Sequence, residues 1–342
     1  MSIERAKKAL KGEYTDCIPL FDMPKHRNFL KKLTGIDPFE NTVEAVTQAV
    51  HKLDIDMLMC SIPEQTLVDD KADNLYGLST TKWRNKNSTL KDIFTYNPTV
   101  NRNDCSSLSE DDAYELFQSQ IDRDRKLVGD IALPIGRLFT TCIHYAAEDL
   151  NWEEFLIACL LEEEKVSILI DSFQSTSERM LRAWAKTNID VMLCHDDIAM
   201  SKGTVQSPDW LRKHVIPRYS SILKPVKDKG IPVIFMTDGN YTSVAKDLVE
   251  AGADGFFLDA PFVDLEKISS ICGRDLIYFT GPSPALMTMG TPQEVSQEVA
   301  RLAEVARELP RFFFQVPGGY TQNMPVENVT AYYESCRKYG QR

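Results

Sequence analysis

Val191-Met192-Leu193-Cys194-His195-Asp196-Asp197 is an apolar run that stops at a histidine and two adjacent carboxylates. A run this short, rich in branched side chains, suits a strand buried on both faces, and the polar residues after it mark the handover to a loop. The pattern recurs along the chain in Leu20-Phe21-Asp22, Phe235-Met236-Thr237-Asp238-Gly239-Asn240, Phe257-Leu258-Asp259, Phe279-Thr280-Gly281 and Gln315-Val316-Pro317-Gly318-Gly319. Longer stretches of helical period separate these runs. Across residues 162–186, for example, Leu169, Ile170, Phe173, Met180, Leu181 and Trp184 share one helix face. Short strands alternating with helices predict a parallel sheet covered by helices.

Eight strands are expected, near Cys17–Phe21, Asp56–Cys60, Leu133–Leu138, Val191–His195, Val233–Met236, Gly255–Leu258, Leu276–Phe279 and Phe312–Val316. Eight such units predict an α/β fold of the (β/α)8 barrel class, with residues 1–342 forming one domain. A charged helical segment precedes the first strand. The polar stretch from about Ile62 to Asn103, which carries Tyr76, Trp83 and Tyr96, is expected to be an insertion over the barrel mouth.

Composition limits the function classes. Of 342 residues, 43% are hydrophobic and 26% charged, enough for a substantial core. The net charge of -11, with lysines and arginines scattered, argues against nucleic acid as a partner. No apolar stretch has the length of a membrane span, and the charged opening residues lack a signal core, so a cytoplasmic protein is expected. The 8 cysteines are dispersed without a Cys-x-x-Cys pair, which predicts reduced thiols rather than a disulfide framework or zinc ribbon.

In a parallel barrel the strand ends share one rim, so the residues that stop the runs are the candidates for a site. A single carboxylate there, such as Asp22 or Asp259, also serves as a helix cap or turn former. The adjacent pair Asp196 and Asp197 points more firmly to chemistry, because two neighbouring carboxyls raise each other's pKa. His195 fits a proton donor and a satisfied core histidine equally well. Asp196, Asp197, His195 and Asp238 are therefore the catalytic candidates. Asn240, Tyr241, Trp210, Asp259 and Phe21 are the candidates for substrate contact, in a pocket whose aromatic lining suits a flat apolar molecule.

Asp196-Asp197-Ile198-Ala199, then Gly203, Ser207-Pro208 and Pro217, resembles the signature of the uroporphyrinogen decarboxylase superfamily, which includes cobalamin-dependent methyltransferases. Matching stretches are Asp238-Gly239-Asn240, Gly290-Thr291-Pro292 with Glu294-Val295, and Pro325-Val326-Glu327-Asn328, and residues 5–13 resemble the family's opening helix. The resemblance implies a (β/α)8 fold. True uroporphyrinogen decarboxylases carry Arg-Gln-Ala-Gly-Arg after the first strand to hold substrate carboxylates, where this chain has Asp22-Met23-Pro24-Lys25-His26-Arg27. The thiol-methylating branch binds zinc through His-x-Cys and a late Cys, where this chain has Met236-Thr237-Asp238 and Pro317-Gly318-Gly319.

The remaining branch resembles the methyltransferase I component of corrinoid-dependent O-demethylases. That resemblance implies transfer of a methyl group from a methoxylated aromatic to the Co(I) corrinoid, a cobalamin, of a corrinoid-binding partner protein. Some members are associated with zinc held by carboxylates and a histidine, a set with no clear match in this sequence, so a metal site stays unknown at this stage. The leaving phenolate, with a conjugate-acid pKa of about 10, needs an acid or a Lewis acid at its oxygen. The alternatives are a decarboxylase of a small or porphyrin-like acid, for which Lys25, Arg27 and Arg137 would hold carboxylates, a methylcobalamin-dependent thiol or methylamine methyltransferase, and a non-catalytic binding protein.

Overall fold

The computed structural model describes residues 2–63 and 90–342. In chain order the strands are β1 (Phe21–Asp22), β2 (Met57–Leu58), β3 (Gly136–Leu138), β4 (Met192–His195), β5 (Ala199–Met200), β6 (Gly203–Thr204), β7 (Val233–Met236), β8 (Gly255–Phe257), β9 (Ile277–Thr280) and β10 (Phe312–Phe314). Each of the eight expected positions carries a strand, trimmed or shifted by a few residues at most. Helices follow β1, β2, β3, β4, β7, β8, β9 and β10, so the chain runs through the eight β-then-α steps of a (β/α)8 fold and its class is α/β. The short antiparallel pair β5–β6 was not expected; it turns at residues 201–202 between β4 and its helices.

Two compact units divide the described residues. Of the described residues, the first draws on 2–63, 121–135 and 256–342. In it β9 pairs with β10, a bridge joins Phe314 to Leu20, β1 pairs with β2, and a further bridge joins Met57 to Leu133, every one parallel. Phe21 is buried, with its ring 4.6 Å from that of Phe279. Two stretches of the family resemblance have structural parts. Thr291 and Glu294 form a capping box on the helix Pro292–Ala306, which satisfies free N–H groups at both ends of the box. The Asn328 amide donates to the carbonyls of Met287 and Gly290.

The second unit draws on residues 90–120 and 136–255. Its sheet is β3–β4–β7, all parallel, with Gly136 opposite Met192 and Met192 opposite Val233. The helix Glu163–Lys186 lies where the periodicity placed it. Its Trp184 stacks on Phe117 with centroids 4.2 Å apart and comes so close to β3 that a Cβ on Gly136 would meet the Trp184 ring at 3.1 Å. Of the expected mouth insertion, residues 64–89, with Tyr76 and Trp83, lie outside the described residues. The remainder includes two short helices, Leu90–Thr95 and Pro98–Asn101, and Tyr96 between them is buried with its ring against Phe173.

Candidate functional site

Register decides which strand ends meet. Leu138 lies opposite Cys194, and His195 lies opposite Met236, so the residues that leave β3, β4 and β7 emerge side by side. Asp196 ties them together. It is fully buried, its backbone N–H donates to the Met236 carbonyl, and its carboxylate accepts from the N–H groups of Ile143 (3.0 Å) and His144 (2.5 Å) and from the Tyr219 hydroxyl (2.6 Å). The Thr141 hydroxyl closes the link by donating to the His195 carbonyl. Asp196 thereby satisfies the first free N–H groups of the helix His144–Asp149 and sets where His144 stands.

Around Asp197 two imidazoles converge. His144 Nδ1 lies 2.9 Å from Asp197 Oδ2, and His195 Nε2 lies 3.0 Å from Asp197 Oδ1. The other nitrogen of each ring is already engaged. His195 Nδ1 is 2.8 Å from the Phe139 carbonyl, and His144 Nε2 is 3.3 Å from Glu148 Oε1, one helical turn on. The ring planes cross at 74° with centroids 4.9 Å apart. Glu148 is held in turn by the Arg102 guanidinium at 2.7 Å and the Thr140 hydroxyl at 3.1 Å.

The charges follow from this geometry. Burial disfavours an imidazolium at His144, yet Asp197 and Glu148 outweigh it and push its pKa up to about 10. The same contest, with Asp197 as the partner, raises His195. Burial opposes ionisation of Asp197, but the two histidines hold its carboxyl far below the usual carboxylate range. Asp196 shifts the other way, upward, because burial outweighs its hydrogen bonds. The two adjacent carboxyls therefore do not raise each other as their spacing suggested: Asp197 is an anion between two histidines, and Asp196 positions the backbone. Asp238 reaches solvent at the end of β7, yet protein surrounds it enough for desolvation to raise its carboxyl, against the pull of His195 and His144.

The other expected residues have local partners of their own. The Asn240 amide oxygen accepts from Thr242 N, and its backbone N–H donates to the Met200 carbonyl. Tyr241 is buried. Trp210 packs on His214, 4.9 Å between centroids, in the helix Pro208–His214. Asp259 turns the chain after β8, its carbonyl accepting from Phe262 and Val263. Cys194 is buried, and burial raises its thiol pKa, as a core role requires. Arg27 forms a forked pair with Asp37 and lies over the Phe39 ring.

The residue missed by sequence reasoning is His144. The signal for it was present: a histidine just past β3, with Glu148 four residues on, in a chain of 5 histidines. One ligand atom from each of His144, His195 and Asp197 lies within 4.8 Å of the others, close enough for one metal ion to be shared. Two of these atoms, His144 Nδ1 and Asp197 Oδ1, are buried without an aligned hydrogen bond among the described residues. Nitrogen lone pairs turned towards a carboxylate at 3 Å need a cation between them, either a proton on each ring or a metal. The donor set fits a divalent ion.

A family model described as uroporphyrinogen decarboxylase (URO-D) matches residues 125–339, more than half of the chain. Proteins named uroporphyrinogen decarboxylase from Pelobacter propionicus and Syntrophotalea carbinolica are 30% identical over 128 residues and 25% identical over 218 residues. The matched stretches cover 37% and 63% of this chain, and they span only 36% and 60% of those two relatives. A solved methyltransferase from Methanosarcina mazei aligns over 99% of this chain and 98% of its own, with a TM-score of 0.65 at 15% identity. At that identity the likeness is one of fold.

Proposed function

The chain belongs to the uroporphyrinogen decarboxylase family, and from that premise we propose that it is a methyltransferase that moves the methyl group of an aryl methyl ether to the Co(I) corrinoid of a separate partner protein. The observation that carries the proposal is the group formed by His144, His195 and Asp197, with the raised carboxyl of Asp238 coupled to it. An aryl ether leaves as a phenolate, and this group offers what such a leaving oxygen lacks: positive charge and a proton.

In the transfer the methyl carbon is displaced towards Co(I), the C–O bond breaks, and its electron pair stays on oxygen. Asp238 holds the proton that this oxygen takes. Desolvation favours the neutral carboxyl there, while the nearby histidines keep it acidic enough to donate. In the absence of an ion, protonated His144 and His195 direct positive charge at the same place, and Asp197 fixes both rings. A divalent ion bound by His144, His195 and Asp197 would supply Lewis acidity at the ether oxygen.

The names of the two relatives favour a second reading, a decarboxylase. Such an enzyme needs cations to hold substrate carboxylates, and of the three candidates Lys25, Arg27 and Arg137, Arg27 is occupied by Asp37. One anaerobic assay separates the readings. The protein is mixed with Co(I) cobalamin, a corrinoid-binding protein and a guaiacol-type donor, with methylamine and alkyl-ether donors alongside. We expect the methoxyaromatic to yield its phenol in step with loss of the Co(I) absorbance. No product from any donor, together with carbon dioxide release from a porphyrinogen or small acid, would replace this proposal with the decarboxylase.

A further inference from the structure

We propose that His144, His195 and Asp197 form a resident divalent-metal centre of the three-ligand kind, with zinc the ion its nitrogen and oxygen donors suit best. The inference deepens the reading above, since it places the metal where the ether oxygen is proposed to bind. It stands on geometry of its own.

The first support is the direction of the rings. With its Nδ1–H donated to the Phe139 carbonyl, a neutral His195 presents the Nε2 lone pair to Asp197, and with Nε2–H turned to Glu148, a neutral His144 presents Nδ1. Metal-binding histidines are oriented in this way, one nitrogen tied to a carbonyl or carboxylate and the other bare. The second support is that two atoms of the group, His144 Nδ1, which faces Asp197 Oδ2, and Asp197 Oδ1, which faces His195 Nε2, are buried without an aligned hydrogen bond among the described residues.

The third support is the shell behind the ligands. Glu148 is itself fixed by Arg102 and Thr140, and Asp196 fixes the backbone of His144. One carboxylate and two imidazoles leave a zinc ion with a net positive charge and an open position, the arrangement of catalytic rather than structural zinc. Asp197 is the most exposed of the three, its side chain 32% accessible. Among these three ligands there is no cysteine, which separates this centre from a thiolate site.

The test is metal binding measured without turnover. The full chain is stripped with a chelator, then titrated with Zn(II) against a chromophoric competitor and with Co(II) while visible absorption is followed. We expect one equivalent of either metal, with the absorption of a low-coordinate Co(II) site. His144→Gln and Asp197→Asn should each weaken binding at least about 100-fold, and Glu148→Gln about 10- to 100-fold with the stoichiometry kept. Thermal melts of the stripped variants report whether each has folded, and Asp197→Asn, partly exposed and isosteric, is the variant chosen to survive. Less than one equivalent bound at micromolar metal, or unchanged affinity in folded Asp197→Asn, would overturn the centre. Tight binding without methyl transfer from any donor would leave the centre standing and remove only the proposed reaction.

Discussion

Asp238 and Asp196 are both carboxyls raised by burial, yet their surroundings give them different tasks. Asp238 has solvent on one side and histidines nearby, so it can exchange a proton; Asp196 spends its oxygens on two backbone N–H groups and a tyrosine. If Asp238 protonates the leaving oxygen, Asp238→Asn should lower kcat by about 10²–10⁴-fold for guaiacol-type donors. The loss should shrink for nitro-substituted donors, whose phenolates leave without help. An equal loss across both donor types, in steady-state assays, would take the acid role from this residue. Tyr219→Phe removes one of three donors to Asp196 and should cost about 1–3 kcal/mol, read from the shift in urea midpoint. The histidine at 195 and the carboxylate at 197 were legible from where the strand stops. His144 was not singled out, because it lies far from Asp197 along the chain and only the pairing of β3 with β4 brings the two together.

At the scale of elements, the turn after β7 shows how backbone geometry places a functional side chain. Gly239 has φ of +79°, a left-handed conformation that side chains disfavour, and a Cβ there would stand 2.4 Å from the Met200 carbonyl carbon. The turn is tied to the β5–β6 hairpin by the hydrogen bond from Asn240 N to Met200 O. Gly239→Ala should therefore destabilise the protein by about 1–3 kcal/mol and displace Asp238, seen as a lower melting temperature together with a fall in turnover. A variant with unchanged melting and activity would mean that the hairpin yields freely. The sequence Asp238-Gly239-Asn240 reads as a turn by composition, but the hairpin that makes glycine obligatory was invisible. Its strands are two residues each, too short for a periodic signal.

At the scale of the whole molecule, stability should depend on pH through Asp22. The residue is buried in the first unit, with the hydroxyls of Tyr320 and Tyr333 at 2.5 and 3.1 Å from Oδ2, and burial outweighs these hydrogen bonds to push its pKa up to about 7. Its ordinary value is 3.8, so the folded chain binds this proton more tightly than the unfolded one. The stabilisation is complete below about pH 4, falls as pH rises towards 7, and is spent above it. Urea midpoints measured from pH 4 to 8 should show that fall, and Asp22→Asn should reduce it, leaving the share of Asp56, whose carboxyl burial also pushes up to about 7. A slope unchanged in the variant would assign the dependence to other groups. Among the described residues no helix is long and apolar enough to cross a membrane.

The order of strands and helices, and the polar residues that end each strand, followed from sequence because both are local: periodicity and strand-stopping residues need only neighbours along the chain. Which of those residues meet, and which charge each carries, was decided by tertiary structure. Asp196 and Asp197 are adjacent and chemically identical, yet the carboxyl of one is pushed up and that of the other held far down, since desolvation and the nearness of His144 and His195 act through space.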